Sequence, residues 1–270
     1  CIRERNTDEE KMNRLIILIV EDDKDIRDYI ASDLHDTYEV IVVENGEQGL
    51  EAARTTIPDL IISDIMMPVK DGIELCREVK SNVETSHIPV ILLTAKDTLY
   101  DKMEGYTVGA DSYITKPFSA SLLRSRIVNL LESRRKIASL ISSGSSLALK
   151  HSIIKDSLNS IDNAFIEKFT KIIEDNLMDE KIDVPSIAQQ LSMSYSSLYR
   201  KVKALTGMST TEFVRKIRMG KTEQLFLTGR YNVSEIAHQV GFQSISYFRE
   251  CFKGEYGMSP SAYLRRVTGG

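Results

Sequence analysis

Apolar residues run without interruption from Leu15 to Val20, and the run stops at Glu21-Asp22-Asp23. A run this short, with no polar alternation, predicts a strand buried on both faces. Similar runs recur at Glu39–Val43, Leu60–Ser63, Val90–Thr94 and Ser112–Thr115. Between them the apolar positions change to helical spacing, over Asp25–Leu34, Gly46–Arg54, Ile73–Ser81, Leu99–Val108 and Ala120–Ser133. Strand alternating with helix predicts a doubly wound α/β domain with a five-stranded parallel sheet and helices on both faces. Sites in such sheets lie at the carboxyl ends of the strands.

The strand ends present one chemical set: Glu21 and Asp22 after the first strand, Asp64 after the third, Thr94 after the fourth and Lys116 after the fifth. Carboxylates brought together repel and call for a cation between them, and hard oxygen ligands with open water positions suit Mg²⁺. Such an ion would neutralise an incoming phosphoryl group and the aspartate that attacks it, which makes Asp64 the candidate acceptor. Lys116 could pair with phosphoryl oxygens, and the Thr94 hydroxyl could donate to another. Plainer roles are open to each residue. Asp22 and Asp23 precede a helix, where acids commonly cap, and Asp64 could simply start the turn into Pro68.

After the first domain, Leu123, Ile127, Leu130, Ile137 and Ile141 keep helical spacing, so the fifth helix can continue as a stripe that pairs with a second copy, while burial against the chain's own sheet explains the first three equally well. Ser142-Ser143-Gly144-Ser145-Ser146 then reads as a flexible linker, and a helical pattern resumes at Ile161–Leu177. The rest is one unit used twice. Ile187-Ala188-Gln189-Gln190-Leu191 matches Ile236-Ala237-His238-Gln239-Val240 at an offset of 49. Leu198 and Phe248, Gly207-Met208-Ser209 and Gly257-Met258-Ser259, and Phe213 and Tyr263 match at an offset of 50. Each copy has a short helix, a small-residue break (Ser192-Met193-Ser194; Gly241-Phe242-Gln243) and a second helix. That is an all-α domain of two helix-turn-helix units, whose second helices enter the major groove. A helical pattern from Thr211 to Leu227 joins the copies and could hold both reading helices on one side of a duplex.

Charge divides along the same line. Residues 1–135 carry 17 Lys/Arg against 26 Asp/Glu, net −9, whereas 136–270 carry 18 against 13, net +5. An acidic front and a basic tail direct the tail to a polyanion. No run approaches the ~18 apolar residues of a membrane span, and the N-terminus lacks signal-peptide order, so a cytoplasmic location without membrane contact is expected. The 3 cysteines and 4 histidines show no metal-ligand spacing. The chain begins at Cys1, and its mixed-charge first residues read as a linker excised from a longer protein. The expected organisation is a linker at 1–13, an α/β domain at 14–135, a linker at 136–160 and the helix-turn-helix domain at 161–268.

Leu18-Ile19-Val20-Glu21-Asp22-Asp23, Pro58–Pro68 with Asp71-Gly72, Leu93-Thr94-Ala95 and Gly109–Phe118 together resemble bacterial response-regulator receiver domains, a flavodoxin-like fold. The resemblance implies phosphorylation at Asp64, Mg²⁺ held by Asp22, Asp64 and the Met66 carbonyl, and Glu21 completing the acidic pocket. It implies a switch pair, Thr94 and Tyr113, a phosphoryl contact from Lys116 and a cis bond before Pro117. Phosphorylation would pull the Thr94 hydroxyl inward, and Tyr113 would fill the space vacated.

Ile236-Ala237, Gly241-Phe242, Tyr247-Phe248, Phe252-Lys253, Gly257-Met258-Ser259-Pro260 and Tyr263 resemble AraC-type transcription regulators. By position, this implies that Ser196, Tyr199 and Arg200, then Ser244, Ile245, Ser246 and Glu250, face bases. Lys201, Lys203, Tyr247, Arg249 and Lys253 would meet phosphates. Glu250 departs from the basic residue frequent there; it could accept from a cytosine amino group or weaken contact. Receiver followed by AraC-type output resembles response regulators, including the cytoplasmic ends of hybrid sensor chains. Nothing resembles an ATP-binding kinase core, so phosphate must come from a histidine kinase in trans or elsewhere in the same full-length chain. The expected function is a phosphorylation-switched activator binding double-stranded DNA as a homodimer, with RNA polymerase as a further partner. A phosphate sink or phosphorelay intermediate, and a protein-interaction adaptor, are the alternatives.

Overall fold

The computed structural model describes residues 14–95, 108–142, 158–178 and 183–268. These fall into two compact units, residues 1–135 and 136–270. The predicted linker at 1–13, most of the predicted helix Leu99–Val108 and most of the Ser-rich stretch lie outside the described residues.

The first unit is a parallel sheet of β1 (Ile16–Val20), β2 (Glu39–Val43), β3 (Leu60–Asp64), β4 (Val90–Ala95) and β5 (Ser112–Lys116), in the order β2-β1-β3-β4-β5. Its helices are α1 (Lys24–Leu34), α2 (Gly46–Thr56), α3 (Gly72–Ser81) and the start of α4 (Ala120–Ser142). Successive side chains of a strand face opposite ways, so β1 feeds two cores. Leu18 and Val20 meet Leu50, Ala53, Leu75 and Val79 of α2 and α3, while Ile17 and Ile19 meet Ile30, Leu34, Leu123 and Ile127 of α1 and α4. The expectation of burial on both faces holds for β1 and β3 but not for β2. Strand order puts β2 at an edge, and Val42 is 45% exposed there.

The second unit is helical: the end of α4, then α5 (Ser160–Asp175), α6 (Val184–Gln190), α7 (Tyr195–Thr206), α8 (Thr210–Leu227), α9 (Val233–Gln239), α10 (Ile245–Tyr256) and α11 (Pro260–Thr268). The repeat is visible in the backbone. Ser192 and Gly241 occupy equivalent turns with φ of 57° and 78°, and Met193 and Phe242 donate equivalent bonds to the Ala188 and Ala237 carbonyls. Gly207 and Gly257 end α7 and α10 in the left-handed region, which a residue without Cβ enters at no steric cost. Helix α8 serves both copies: Phe213 and Ile217 enter the first core, Met219 and Phe226 the second.

Two expectations need correction. The proposed pairing stripe is used within the chain: Leu123 and Ile127 are buried in the first unit with Leu130 packed against that core, whereas Ile141, with Ile137 beside it, joins the core of the second. The linker assigned to 136–160 is likewise helical up to Ser142, and Leu158 is already a core residue.

Candidate functional site

Strand register assembles the first site. Pairing of Val20 with Ser63, Asp64 with Leu93 and Ala95 with Lys116 aligns the carboxyl ends of β1, β3, β4 and β5. Carboxylate oxygens of Glu21, Asp22 and Asp64 all lie within 4.8 Å of one another. The two acids beside α1 divide the work. Asp23 caps the helix, accepting from the Asp25 and Ile26 amides, which leaves Asp22 to the cluster. Arg27, on the buried stripe of α1 with Ile30 and Leu34, donates to the Glu21 carbonyl at 2.7 Å and holds this loop in place.

Asp64 is held from several sides. The Ile65 amide donates to Oδ1 at 2.8 Å, Lys116 Nζ lies 3.0 Å from Oδ2, and the Ser63 hydroxyl donates to its carbonyl. Gly72 opens α3 against that carbonyl, where a Cβ would sit 2.0 Å from the oxygen, so only glycine permits this approach. Lys116 also donates to Glu21 Oε2 at 2.8 Å. Burial, reinforced by Asp64, raises the pKa of Glu21 against the opposing pull of Lys116. Burial alone would lower the pKa of Lys116, but its bonds to Glu21 and Asp64 reverse the direction and keep it charged. One lysine thus faces two carboxylates and a third beside them. Glu21 Oε1 is buried with no hydrogen-bond partner among the described residues. An unsatisfied buried oxygen within a set of hard oxygen donors fits a divalent cation.

Thr94 is 1% exposed at the end of β4, and Tyr113 is half-buried beside the core face that holds Ile73 and Cys76. Met66, by contrast, is 70% exposed. The Lys116–Pro117 bond is cis, as expected.

In the second unit, Ser194 and Ser244 cap the two reading helices, α7 and α10. Ser196, Tyr199, Arg200, Lys203, Ser244, Ser246, Tyr247, Arg249, Glu250 and Lys253 are exposed, and Ile245 is half-buried. Lys203 also donates to the Gly207 carbonyl, and the Tyr247 hydroxyl accepts from Arg215 at 3.3 Å.

Residues 17–128 match the response regulator receiver domain family, and residues 187–266 match a helix-turn-helix domain family. The chain is a response-regulator receiver followed by an AraC-type helix-turn-helix domain. It is 41% identical over 253 residues to histidine kinase P4 of Formosa agariphila, covering 93% of this chain but 18% of that protein. It is 40% identical over 123 residues to the alkaline phosphatase synthesis transcriptional regulatory protein PhoP of Bacillus subtilis, covering 45% of this chain and 50% of that one. A solved receiver domain of a signal transduction histidine kinase from Syntrophus aciditrophicus is 39% identical, covering 44% of this chain and 90% of that one, with a TM-score of 0.42. The chain therefore spans half or less of the curated relatives named here.

Against the predicted contacts of this output domain, Lys201 is a correction. Its side chain is 0% exposed and pairs with Asp162 at 2.6 Å, so it cannot meet a phosphate. Placement by helical position counted it on the outer face, but helix α5 packs over it. In the receiver, sequence reasoning missed Arg27. The available signal was its place three residues before Ile30 and seven before Leu34, on the apolar stripe where an arginine has to find partners.

Proposed function

We propose that this receiver accepts a phosphoryl group at Asp64 from a histidine kinase and, in response, changes how its tandem helix-turn-helix domain binds double-stranded DNA. The observation that carries the reading is the Asp64 carboxylate at the end of the central strand, 3.0 Å from Lys116 and beside Glu21 and Asp22. An Asp64 oxygen attacks the phosphorus of a phosphohistidine, the P–N bond breaks, and the imidazole nitrogen leaves with the electron pair. The Ile65 amide orients the carboxylate, and Lys116 turns from it to the new phosphoryl oxygens. Glu21, Asp22, Asp64 and the Met66 carbonyl would hold Mg²⁺, which when bound supplies charge neutralisation between acceptor and phosphoryl oxygens. Thr94 donates to the phosphoryl group and Tyr113 moves inward, which reshapes the surface beside β5.

On the output side, α8 has 18 residues and spans about 27 Å, a spacer suited to reading helices about one DNA turn apart. Ser196, Tyr199 and Arg200 of α7 and Ser244, Ile245, Ser246 and Glu250 around α10 read bases. Lys203, Tyr247, Arg249 and Lys253 meet phosphates. The regulator acts in the cytoplasm as an activator, as a dimer on direct-repeat sites, with RNA polymerase as its further partner. The match to 93% of this chain within a protein named a histidine kinase supports a phosphoryl donor in the same polypeptide.

Selection from a random DNA pool, with Mg²⁺ and with or without beryllofluoride as a phosphoryl mimic, tests the reading. A repeated motif that strengthens with beryllofluoride, and does not in Asp64→Asn, is the expected result. Enrichment that ignores beryllofluoride would refute the coupling, and no enrichment in any state would favour the phosphate sink.

A further inference from the structure

The two helix-turn-helix copies provide an internal comparison. At the offset of 50 that relates α7 to α10, Leu198 corresponds to Phe248, Val202 to Phe252 and Lys201 to Cys251. The apolar positions do the same work in both, since Leu198, Val202, Phe248 and Phe252 are each 0% exposed. Lys201 does not follow this pattern. Its ammonium is fully buried, 2.6 Å from the Asp162 carboxylate and 5.1 Å from the centre of the Phe165 ring, both on α5. Asp162 is itself 0% exposed, and its second oxygen accepts from the Asn159 side chain at 2.8 Å. The second copy builds the same motif with a half-buried thiol in place of the cation, and α10 is tied to α8 instead through Lys216–Glu255 and Arg215–Tyr247.

A buried ion pair is a poor source of stability. Desolvation of both charges roughly offsets their attraction, and apolar residues of similar volume commonly do as well or better. What such a pair supplies is direction: an ammonium that must reach one carboxylate tolerates neither rotation nor sliding of the helix that carries it, whereas Leu198 and Val202 alone would accept neighbouring settings. Lys201 follows Tyr199 and Arg200 on α7 directly, and those two side chains point outward. Rotating α7 enough to unpair Lys201 from Asp162 would carry both away from their bases.

We propose that Lys201 and Asp162 are positioning residues that set the rotation of α7, and so the sequence preference of the first reading unit, without touching DNA themselves. The inference rests on the DNA-reading function proposed above. Its test is selection from a random DNA pool with the full chain and with the Asp162→Leu/Lys201→Met double variant, scoring the two halves of the motif separately. Calorimetry accompanies the selection. The double variant keeps or exceeds the wild-type melting temperature, retains the half-site read by α10, and loses discrimination at the other by about tenfold, the scale of one lost base contact. A merely structural pair would give the opposite pattern, with stability reduced and both half-site preferences intact, and that result overturns the proposal. If the double variant does not fold, Lys201→Arg decides: it keeps both charges but moves the contact point, so an unchanged first half-site would overturn the proposal and an altered one would support it. Absence of any motif with the wild-type chain would instead refute the DNA-reading function itself.

Discussion

Replacing Lys116 by methionine removes the cation that, among the described residues, bridges Glu21 and Asp64. The Glu21 side chain is 1% exposed, Asp64 11% and Lys116 20%, so the pair is mostly sheltered from solvent. Removing one partner of a buried pair costs ~3–5 kcal/mol, and the partial exposure of Lys116 argues for the lower end, about 3 kcal/mol. For a domain of this size that lowers the melting temperature by about 10 °C. The loss depends on pH. Glu21 already has its pKa raised above the ordinary 4.5, and losing Lys116 raises it further, because burial and Asp64 then act unopposed. A raised folded-state pKa gives stability that is present below the unfolded value and lost as pH rises through the folded one. The deficit of Lys116→Met is therefore smallest below the ordinary carboxyl value and grows as pH rises through the raised one, so it is larger at about pH 8 than at about pH 5. The chain has no tryptophan, so scanning calorimetry in chelator-treated buffer, across that range, is the suitable assay. A deficit below about 1 kcal/mol at pH 8, or one that does not change with pH, would refute the reasoning.

Two further outcomes follow from the receiver. Gly72→Ala forces a Cβ to 2.0 Å from the Asp64 carbonyl oxygen, so we expect a stability loss of ~1–3 kcal/mol and slower uptake of phosphoryl from a small-molecule donor, measured by calorimetry and intact mass. Normal uptake with normal stability would show that α3 can shift without moving Asp64. Burial pushes the Cys76 thiol up to about 12, and it is 0% exposed, so it stays protonated and unmodified by a thiol reagent at pH 8 while half-buried Cys251 reacts. Peptide mapping distinguishes the two, and labelling of native Cys76 at a rate near that of Cys251 would contradict the packing of α3.

The strands and the described helices of the receiver were legible because their apolar runs have the two periods that water imposes on buried strands and one-sided helices. The acidic pocket was legible for a related reason. In a parallel sheet each strand ends on the same side, so Glu21, Asp22, Asp64 and Lys116 needed only the order of strands and helices to be brought together. The duplicated output domain came from self-similarity in the chain, and the matching φ values of Ser192 and Gly241 show the same turn built twice.

Periodicity states that a helix has a buried face but not what covers it, and there only the tertiary structure decided. The stripe from Leu123 to Ile141 looks equally like a dimer seam and like a helix that serves two cores, because an apolar surface is satisfied by any apolar partner. Lys201 shows the same limit for charge: a cation near exposed neighbours on a basic helix looks like a phosphate contact until α5 lays Asp162 against it. The chain by itself determined which residues are apolar, which are charged and at what spacing they recur. Which of them meet depends on contacts between elements distant in sequence, and those are set when the helices pack.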